Sequence, residues 1–436
     1  KIADVCEEMA SAEDMDAVFE KYQSLLDLNE AMDGDNYESN IQKQLYVAGM
    51  RELEKTRLSQ ISGGEYKILQ IMKEMLLAPN LLVLDEPDVF LDFGNLNSLC
   101  RLINGYKGTL LVITHNRYLL NHCFNKIMHL ENGDLQEYDG NYTEYRCAVL
   151  REKLKLKIQS IEEQEEIERT QEMVDILRRR ATLMVNPVIG SAVNAKQSQL
   201  DRLRARQIKA PFIEVREPEI VLPAVAAVNT GAVLSLEDYQ ISFDKKLLEK
   251  VSFELLAGEK AAIVGANGTG KTTLIRDILK NNNPSIHIDE NTTYACLSQL
   301  QGSDMDENQT VYRVMQDAGF ETKDSVRSYL AKYCLEADVL EQKVGELSGG
   351  EQNLLQIALI GCSDAEFLIL DEPTSHLDIY AQTALEKAVS EYKGTVLMVS
   401  HDFYLVANCA DYVLLVEDNT VRRMRARTFL KMLFYK

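Results

Sequence analysis

The sequence predicts an α/β protein in which two copies of a doubly wound unit are joined by an antiparallel helical hairpin. The first observation is a set of motifs that occurs twice at a constant separation of 286 positions. The second is that short apolar runs, typical of buried parallel strands, alternate with helical periodicity in each copy. The third is a charged stretch with helical spacing between the copies.

The repeat fixes the order of the units. Its landmark pairs are Ser62 and Ser348, Asp85 and Asp371, Asp92 and Asp378, and His115 and His401. Apolar runs at 81–84 and 109–113 recur at 367–370 and 395–399, and each is short enough to be a buried strand. We therefore predict a partial first unit at 1–145, a hairpin at 146–217 and a second unit at 218–436.

The stretch between the two units has the pattern of a long helix. Apolar side chains keep helical spacing from position 150 to position 177, and Pro187 and Gly190 then interrupt the pattern. A second periodic stretch, with Leu200 and Leu203, runs back toward the second unit. Two antiparallel helices are the simplest interpretation.

The charge of the chain is unevenly distributed. Its 47 Lys and Arg against 68 Asp and Glu give a net charge of −21, which excludes binding to nucleic acid over the whole surface. Positions 176–209 nevertheless hold eight basic residues and one acidic residue. Six of them are candidates for binding RNA phosphates: Arg178, Arg179, Arg180, Lys196, Arg202 and Arg204. The alternative is an ordinary solvated helical face.

Composition also excludes several classes of protein. The eight cysteines are scattered and form no CxxC pair, so neither a disulfide framework nor a zinc site is indicated. The most apolar stretch, 220–236, is broken by Pro223 and Gly231 and is too short to span a membrane. We therefore expect no membrane segment and a cytoplasmic location.

A glycine-rich loop of the form GxxxxGK[ST] occupies 265–272, with an apolar strand before it and a helical pattern after it. Backbone amides at a helix N-terminus form an anion site, so Lys271 should reach the β and γ phosphates of a nucleotide and Thr272 should bind Mg²⁺. The candidate binding residues are Gly265, Asn267, Gly268, Gly270, Lys271, Thr272 and Thr273. The alternative, a tight structural turn, does not explain the strand and helix on either side.

Two carboxylates follow the apolar run at 367–370, at the end of a parallel strand where ligands bind. We expect Asp371 to hold Mg²⁺ and Glu372 to act as the general base for water; helix capping is the alternative. His401 follows the next strand and could contact the γ-phosphate. Its recurrence as His115 disfavours an incidental surface histidine.

Two further candidates depend on weaker patterns. Gln299 ends a short apolar run and is expected to contact the metal and water. Phe243 lies 28 residues before Lys271 and could stack on adenine, although a core aromatic is an equally simple interpretation. In the first copy, the counterpart of Lys271 would precede residue 1, so we expect the sequence to be a piece of a longer chain.

These motifs together resemble those of the ABC-F family of translation factors and ribosome-protection proteins. The stretch 265–272 is similar to a Walker A motif, and 61–65 and 347–351 are similar to ABC signature motifs. Asp371-Glu372 and Asp85-Glu86 resemble Walker B motifs, His401 and His115 switch histidines, and Asp378 and Asp92 D-loop aspartates. The resemblance covers nearly all of both units.

The resemblance implies two ATP-binding cassettes that meet head to tail. One composite site then combines the Walker residues of the second cassette with Ser62, Gly63, Gly64 and Glu65 of the first. The mirror site would use Asp85, the catalytic candidates Glu86 and His115, and Ser348, Gly349, Gly350 and Glu351, but its phosphate loop is absent from this sequence. The first cassette departs from the family pattern at Tyr66-Lys67-Ile68 and at Asp88-Val89-Phe90, so we expect its site to be altered in rate but not inactive.

The resemblance also implies partners. ATP and Mg²⁺ are the expected cofactors, and the ribosome is the expected partner, with the hairpin directed at the tRNA and peptidyl-transferase region. We expect a monomer with intramolecular cassette pairing. A translation factor and an antibiotic-resistance protein both fit the motifs. The alternative function is the energy-coupling subunit of a membrane transporter, which has no use for a long basic hairpin.

Overall fold

The computed structural model describes residues 5, 15–31, 36–131, 133–183, 187–206, 217–224, 231–242, 246–298 and 305–435. They form two compact units. One unit combines Lys1–Cys123 with Pro218–Lys436, and the other is Phe124–Glu217. The units divide the chain at 217/218, which is also a predicted domain boundary, and at 123/124, whereas the sequence predicts a boundary at 145/146. The three-domain division remains a prediction.

The first half of the larger unit contains mainly helices. Its elements are α1 (Met15–Ala31), α2 (Tyr37–Val47), α3 (Gly63–Leu76), β1 (Leu81–Asp85), α4 (Phe93–Gly105), β2 (Thr109–Ile113) and α5 (Arg117–His122). Strands β1 and β2 pair in parallel, with Leu81 opposite Thr109. Ser62 caps α3 and Asp92 caps α4, each through its side-chain oxygen, which explains where these helices begin.

The smaller unit is a β-hairpin followed by a helical hairpin. Its elements are β3 (Lys126–Glu131), β4 (Asp134–Asp139), α6 (Tyr142–Leu183) and α7 (Pro187–Arg206). Ile167, Val174 and Leu200 form a small core between the two helices. Arg178 donates to Gln197 Oε1 at 3.0 Å and Arg204 to Gln171 Oε1 at 2.9 Å, which shows that α6 and α7 are antiparallel, as predicted.

One detail of the hairpin prediction is wrong. Pro187 is the first residue of α7, a position where its missing N–H costs nothing. Gly190 lies inside α7 and does not interrupt it. A single glycine in a helix interior costs only about 1 kcal/mol, which the remaining residues of the helix can offset.

The second half of the larger unit is a complete α/β domain. It begins with β5 (Ala232–Ser242), β6 (Lys246–Leu256), β7 (Lys260–Gly265), α8 (Lys271–Lys280), β8 (Ile286–Ile288) and β9 (Tyr294–Leu297). The helices α9 (Val311–Asp317), α10 (Lys323–Leu330) and α11 (Gly349–Gly361) follow. It ends with β10 (Phe367–Asp371), α12 (Ile379–Glu391), β11 (Thr395–Val399), α13 (Phe403–Cys409), β12 (Tyr412–Glu417), β13 (Thr420–Arg425) and α14 (Ala426–Tyr435).

Its central sheet has the strand order β13-β12-β7-β11-β10-β9, and only β13 is antiparallel to its neighbour. A second sheet, β6-β5-β8, is antiparallel. One apolar core lies between the central sheet and this second sheet with α8, and another lies on the opposite face against α11, α12 and α13. The glycine-rich loop follows β7, in the middle of the parallel strands, as expected for a ligand site.

The structure confirms the internal repeat and the α/β fold class. Phe367 lies opposite Thr395 in the β10–β11 pair, which is the register of Leu81 and Thr109 shifted by 286 positions. The two halves differ in how their strands are covered. Leu81 is 55% exposed, whereas its counterpart Phe367 is fully buried beneath β5, β6 and α8. The described residues of the first half contain no counterpart of these covering elements.

Candidate functional site

The glycine-rich loop has the backbone conformation of an anion site. Gly268 and Gly270 have φ angles of 78° and 95°, in the left-handed region that only glycine adopts at low cost. Gly270 is the N-cap of α8, so the loop amides and the helix N-terminus share one location. This arrangement favours a bound phosphate.

Lys271 is 7% exposed and bends back over the loop. Its Nζ donates hydrogen bonds to the carbonyl oxygens of Gly265 and Ala266, both at 2.8 Å. Burial lowers the pKa of Lys271, and the negative charges of Glu372, Asp92 and Asp371 oppose that shift. An ammonium group is thus held at the loop among carboxylates of both halves.

Asp371 has the environment of a metal ligand. It is 1% exposed at the end of β10, and neither of its carboxylate oxygens has a hydrogen-bond partner that meets the usual geometry in the described part of the chain. Burial raises its pKa to about 6, and the nearby hydroxyl of Thr272 partly offsets this. A buried carboxylate beside a hydroxyl at a phosphate loop fits Mg²⁺, which prefers oxygen ligands and keeps phosphate and water in its shell. The described residues hold no cluster of three His, Cys, Asp or Glu side chains at metal spacing.

Glu372 and His401 form a largely buried pair. Glu372 has a left-handed φ of 50°, a strain that is typical of functional positions. Its Oε1 lies 3.5 Å from His401 Nε2, and its Oε2 accepts a hydrogen bond from His401 N at 3.3 Å. Burial, with the charge of Asp371, raises the pKa of Glu372 to about 8, and burial lowers that of His401 to about 3. The pair therefore combines a carboxyl group of raised proton affinity with a neutral imidazole.

The first half repeats this pair in a more open setting. Glu86 has a φ of 43°, and its Oε1 lies 3.7 Å from His115 Nε2. The side chains of His115 and Glu86 are 50% and 46% exposed, against 14% each for His401 and Glu372. The two halves thus share their backbone geometry but differ in burial.

The first half also contacts the glycine-rich loop directly. Asp92 Oδ2 accepts a hydrogen bond from Asn267 N at 2.9 Å, while its Oδ1 accepts one from Asn95 N at the start of α4. Asn267 Nδ2 donates to the carbonyl oxygen of Phe90 at 2.8 Å. Residues 90–92 of one half are therefore bound to the phosphate loop of the other.

Three aromatic contacts also lie at this junction. Phe90 and His376 are repeat partners, both have left-handed φ angles, and their ring centroids lie 6.2 Å apart. This is the contact expected near a local twofold axis between the halves. Phe93 packs edge-on against His401, with centroids 5.7 Å apart, and against Phe429 of α14 at 5.5 Å. The sequence motifs do not identify Phe93. The one indication in the sequence is that the repeat-related residue, Ile379, is aliphatic and not aromatic.

Comparison with known proteins identifies the family. A family model described as ABC transporter matches residues 3–89 and 248–375, and a second model of the same description matches 128–221. Together the matches cover more than two thirds of the chain. The chain belongs to the ABC transporter family. Its relatives are ABC-F-type proteins, as the motifs indicate.

Two relatives show the range of the similarity. ABC transporter F family member 2 of Arabidopsis thaliana is 30% identical over 89% of this chain and 57% of its own length. Energy-dependent translational throttle protein EttA of Haemophilus influenzae is 27% identical over 92% of this chain and 71% of its own length. The chain spans 56–62% of the length of several curated relatives.

The fold also matches a solved structure. The crystal structure of the complex of archaeal ribosomal stalk protein aP1 and archaeal ribosome recycling factor aABCE1 superposes with a TM-score of 0.60 at 17% identity. The match covers 100% of this chain and 81% of that chain. At this identity the match shows that the two chains share a fold. In the described part of the chain, every helix is either too short or too polar to cross a membrane.

The cassettes of this ABC protein enclose a cavity of about 900 Å³. Its lining includes the second-cassette residues Asn267, Gly268, Gly270, Lys271, Thr272, Thr273, Glu372 and His401. The same cavity is lined by Glu86 and His115 of the first cassette and by Ser348, Gly349 and Gly350. Leu247 also lines it and was not identified from the sequence.

The first signature motif lies differently from the expectation. Ser62, Gly63 and Gly64 do not line this cavity, and Glu65 lines a neighbouring cavity of about 500 Å³ together with Gly265 and Ala266. Glu65 and Glu351 each accept a hydrogen bond from the backbone of their own signature serine, in capping boxes. Completion of the site by Ser62–Glu65 therefore remains a prediction.

Two predicted ligand contacts, Phe243 and Gln299, lie outside the described residues, and their roles remain predictions. The predicted RNA-binding residues of the helical hairpin are described. Arg178, Arg179, Arg180, Arg202 and Arg204 are exposed, and Lys196 is half-buried, where its Nζ donates to Gln199 Oε1 at 2.8 Å.

Proposed function

We propose that this ABC protein binds and hydrolyses ATP at the glycine-rich loop of its second cassette, and that its helical hairpin binds ribosomal or transfer RNA in the cytoplasm. The observation that carries the ATPase proposal is the pair of hydrogen bonds between Asn267 and the first cassette. Asp92 reaches Asn267 across 175 positions of sequence. A composite nucleotide site needs such a contact between cassettes.

The described residues support a division of roles. Lys271 and the loop amides bind the β and γ phosphates, because a buried ammonium and a helix N-terminus both favour anions. Glu372 accepts the proton of the attacking water, and its raised pKa makes it a stronger base than an exposed glutamate. His401 holds Glu372 and faces the position of the γ-phosphate as a neutral donor.

The same site supports Mg²⁺ as the cofactor. Asp371 and Thr272 are the described candidates for holding the ion, and Gln299 is the third candidate from the sequence. When bound, Mg²⁺ neutralises the charge that develops on the phosphates. The unpartnered buried carboxylate of Asp371 is the structural feature that fits it.

The charge of the hairpin supports an RNA partner. Between positions 176 and 209 it carries a net charge of +7, whereas the chain as a whole carries −21. A cationic helical surface suits the RNA backbone, and the name of EttA places that relative in translation. Direction of the hairpin at the tRNA and peptidyl-transferase region, and a role in translation regulation or in antibiotic resistance, belong to this proposal as the family resemblance implies them.

The alternative function is the energy-coupling ATPase of a membrane transporter. It shares the nucleotide site, so the ATPase residues do not discriminate between the two. The basic hairpin discriminates between them, because a transporter subunit acts on a membrane domain and has no RNA to bind. RNA binding by the hairpin therefore decides between them.

The ATPase proposal is tested by three variants of this chain. Lys271→Ala should abolish ATP binding, and Glu372→Gln should keep ATP binding while lowering turnover about 100-fold or more. Lys280→Ala, at the other end of α8, is the matched control and should hydrolyse ATP like the wild type. Turnover per chain should not depend on protein concentration if the chain acts as a monomer.

An active Glu372→Gln variant would contradict the assignment of the base. Glu86→Gln should lower turnover less than Glu372→Gln, because the first-cassette pair is half-exposed. A larger effect of Glu86→Gln would reverse the ranking of the two sites.

A further inference from the structure

Loop 86–92 of the first cassette and its repeat partner, loop 372–378, are held by different residues. Two substitutions distinguish them, one within the loop and one in the signature helix that contacts it. Asp88 stands where the second cassette has Thr374. Lys67, in helix α3, stands where the second cassette has Asn353 in α11. The two residues that differ meet at the same loop.

Lys67 and Asn353 perform the same task with different groups. Lys67 Nζ donates hydrogen bonds to the carbonyl oxygens of Glu86 at 2.9 Å and Val89 at 3.2 Å. Asn353 Nδ2 donates to the carbonyl oxygens of Pro373 at 3.1 Å and Ser375 at 2.8 Å. In each cassette, the signature helix thus holds the loop that follows the catalytic glutamate.

The ammonium group of Lys67 is held at this loop near two negative charges, of which Asp88 has the larger effect and Glu86 the smaller. Burial lowers the pKa of Lys67 and raises that of Asp88, and the charge of each opposes the shift of the other. Asp88 also accepts a hydrogen bond from Thr114 Oγ1, and the same hydroxyl accepts one from Asn116 N. Asp88 therefore connects loop 86–92 to both residues that flank His115.

The loop held in this way is the one that contacts the other cassette. The carbonyl oxygen of Phe90 and the carboxylate of Asp92 bind Asn267 of the glycine-rich loop at 2.8 and 2.9 Å. Phe90 has a left-handed φ of 64°, so its conformation must be maintained by the surrounding contacts. Lys67 binds Val89, the residue immediately before it.

We propose that Lys67 and Asp88 are a matched pair of positioning residues that hold loop 86–92 of the first cassette in the conformation that binds the glycine-rich loop of the second. The expected effect on ATP turnover rests on the proposed ATPase function. The expected effect on the conformation of the loop does not. Lys67→Asn and Asp88→Thr each leave one half-buried charge without the opposite charge at the same loop. The double variant reproduces the arrangement of Asn353 and Thr374 and should work nearly as well as the wild type.

The first measurement is amide hydrogen exchange of the peptide that contains Asn267, in the protein without nucleotide. In the wild type, Asp92 accepts a hydrogen bond from the Asn267 amide and protects it from exchange. Each single variant should loosen loop 86–92, so this peptide should exchange about tenfold faster. The double variant should return to within about threefold of the wild type. The matched control is Lys73→Asn, which removes an exposed lysine from the same helix and should change nothing.

The second measurement is ATP turnover. Each single variant should lower kcat about tenfold with a smaller change in KM, and the double variant should recover most of kcat. Equal behaviour of Lys67→Asn and Lys73→Asn, or effects of the two single variants that simply add in the double variant, would overturn the proposal. If a single variant fails to fold, Thr114→Val, which removes only the hydroxyl that binds Asp88, replaces it.

The two measurements separate failure of this inference from failure of the proposed function. Absence of ATP turnover in the wild type, with the predicted exchange pattern intact, would refute the ATPase function and leave the positioning role in place. Normal exchange at Asn267 in both single variants would refute the positioning role, whatever the turnover.

Discussion

The imidazole–carboxylate pair occurs twice in this chain, and the two copies differ because of their surroundings. His401 and Glu372 are largely buried, whereas His115 and Glu86 are about half-exposed. Phe93 of the first cassette packs against the His401 ring and removes water from it. The titration of a side chain in one cassette is thus influenced by a residue from the other.

This burial predicts the effect of pH on stability. The pKa of His401 is about 3 in the folded chain, compared with about 6.5 for an exposed histidine. Between these values the unfolded chain binds a proton that the folded chain does not, so stability is lost as the pH falls below about 6.5. From pH 7 to pH 5, the free energy of unfolding of the wild type should fall about 2 kcal/mol more than that of His401→Gln.

Urea unfolding of both proteins at the two pH values measures this difference. His115→Gln is the matched control, because it removes the repeat-related imidazole from a half-exposed position. Equal losses in the wild type and in His401→Gln would show that His401 is accessible to protons in the folded chain.

At the scale of single residues, the sequence identifies what the local pattern encodes. Lys271, Asp371, Glu372 and His401 are found because each belongs to a short motif at a strand end. Phe93 and the pairing of Lys67 with Asp88 are not found, because they depend on contacts between segments whose distance apart the sequence does not specify. The left-handed conformations of Glu86 and Glu372 likewise follow from tertiary packing and not from residue type.

At the scale of elements, two short helices join the cassettes through their repeat-related residues. Phe403 of α13 packs against Tyr118 of α5, with ring centroids 5.2 Å apart. The symmetric partner of Phe403 is Arg117, and its guanidinium lies 4.6 Å from the centroid of the Tyr404 ring. Arg117 also donates to Glu386 at 2.8 Å and lies 3.5 Å from Asp402, the N-cap of α13. The local twofold symmetry is thus retained in position but not in chemistry.

This junction predicts a large effect of removing one charge. Arg117 is 8% exposed and Glu386 is 16% exposed, so Arg117→Ala leaves two largely buried carboxylates without their cation and should cost about 3–5 kcal/mol of stability. Arg117→Met combined with Glu386→Gln should cost less than the sum of the single changes. Urea unfolding of the single and double variants gives this coupling energy.

An exposed ion pair of similar composition provides the control. Arg313 lies 3.4 Å from Asp317 within α9, and both side chains are more than half exposed. Arg313→Ala should cost less than about 1 kcal/mol. A cost for Arg117→Ala no larger than this would mean that the junction does not hold the two cassettes together.

The sequence predicts the parallel strands because their short apolar runs occur twice at the same spacing. It predicts the helical hairpin because apolar residues keep helical spacing within a highly charged stretch. It did not predict the antiparallel sheet β6-β5-β8, since this region has no repeated copy with which to compare it. The exposure of the β1–β2 face also could not be predicted. The apolar side chains of Leu81 and Val83 are typical of a buried strand. They are nevertheless 55% and 54% exposed, because the described residues of the first half hold no element that covers this face of β1.

At the scale of the whole molecule, charge separates the two functions that we propose. The net charge of −21 contains a hairpin segment of +7 at 176–209, so the remainder of the chain is more acidic than the average indicates. Acidic surfaces are repelled by RNA, and the basic hairpin is attracted to it, which orients the encounter. Total charge and composition alone would have suggested no nucleic-acid partner.

The hairpin therefore carries the last prediction. Arg179, Arg180 and Arg202 are exposed, and replacing all three with Gln leaves in place the cross-helix hydrogen bonds of Arg178 and Arg204. In a Glu86→Gln/Glu372→Gln background that retains ATP, this variant should co-sediment with ribosomes less than its parent. The slope of log affinity against log salt concentration should become shallower by about 2–3, because each lost phosphate contact removes about 0.7–0.9 from the slope.

The matched control replaces the exposed Arg151, Lys155 and Lys157 of helix α6, which changes the charge equally. Equal losses in the two triple variants would indicate non-specific charge attraction, and unchanged co-sedimentation of the first variant would refute RNA binding by these arginines.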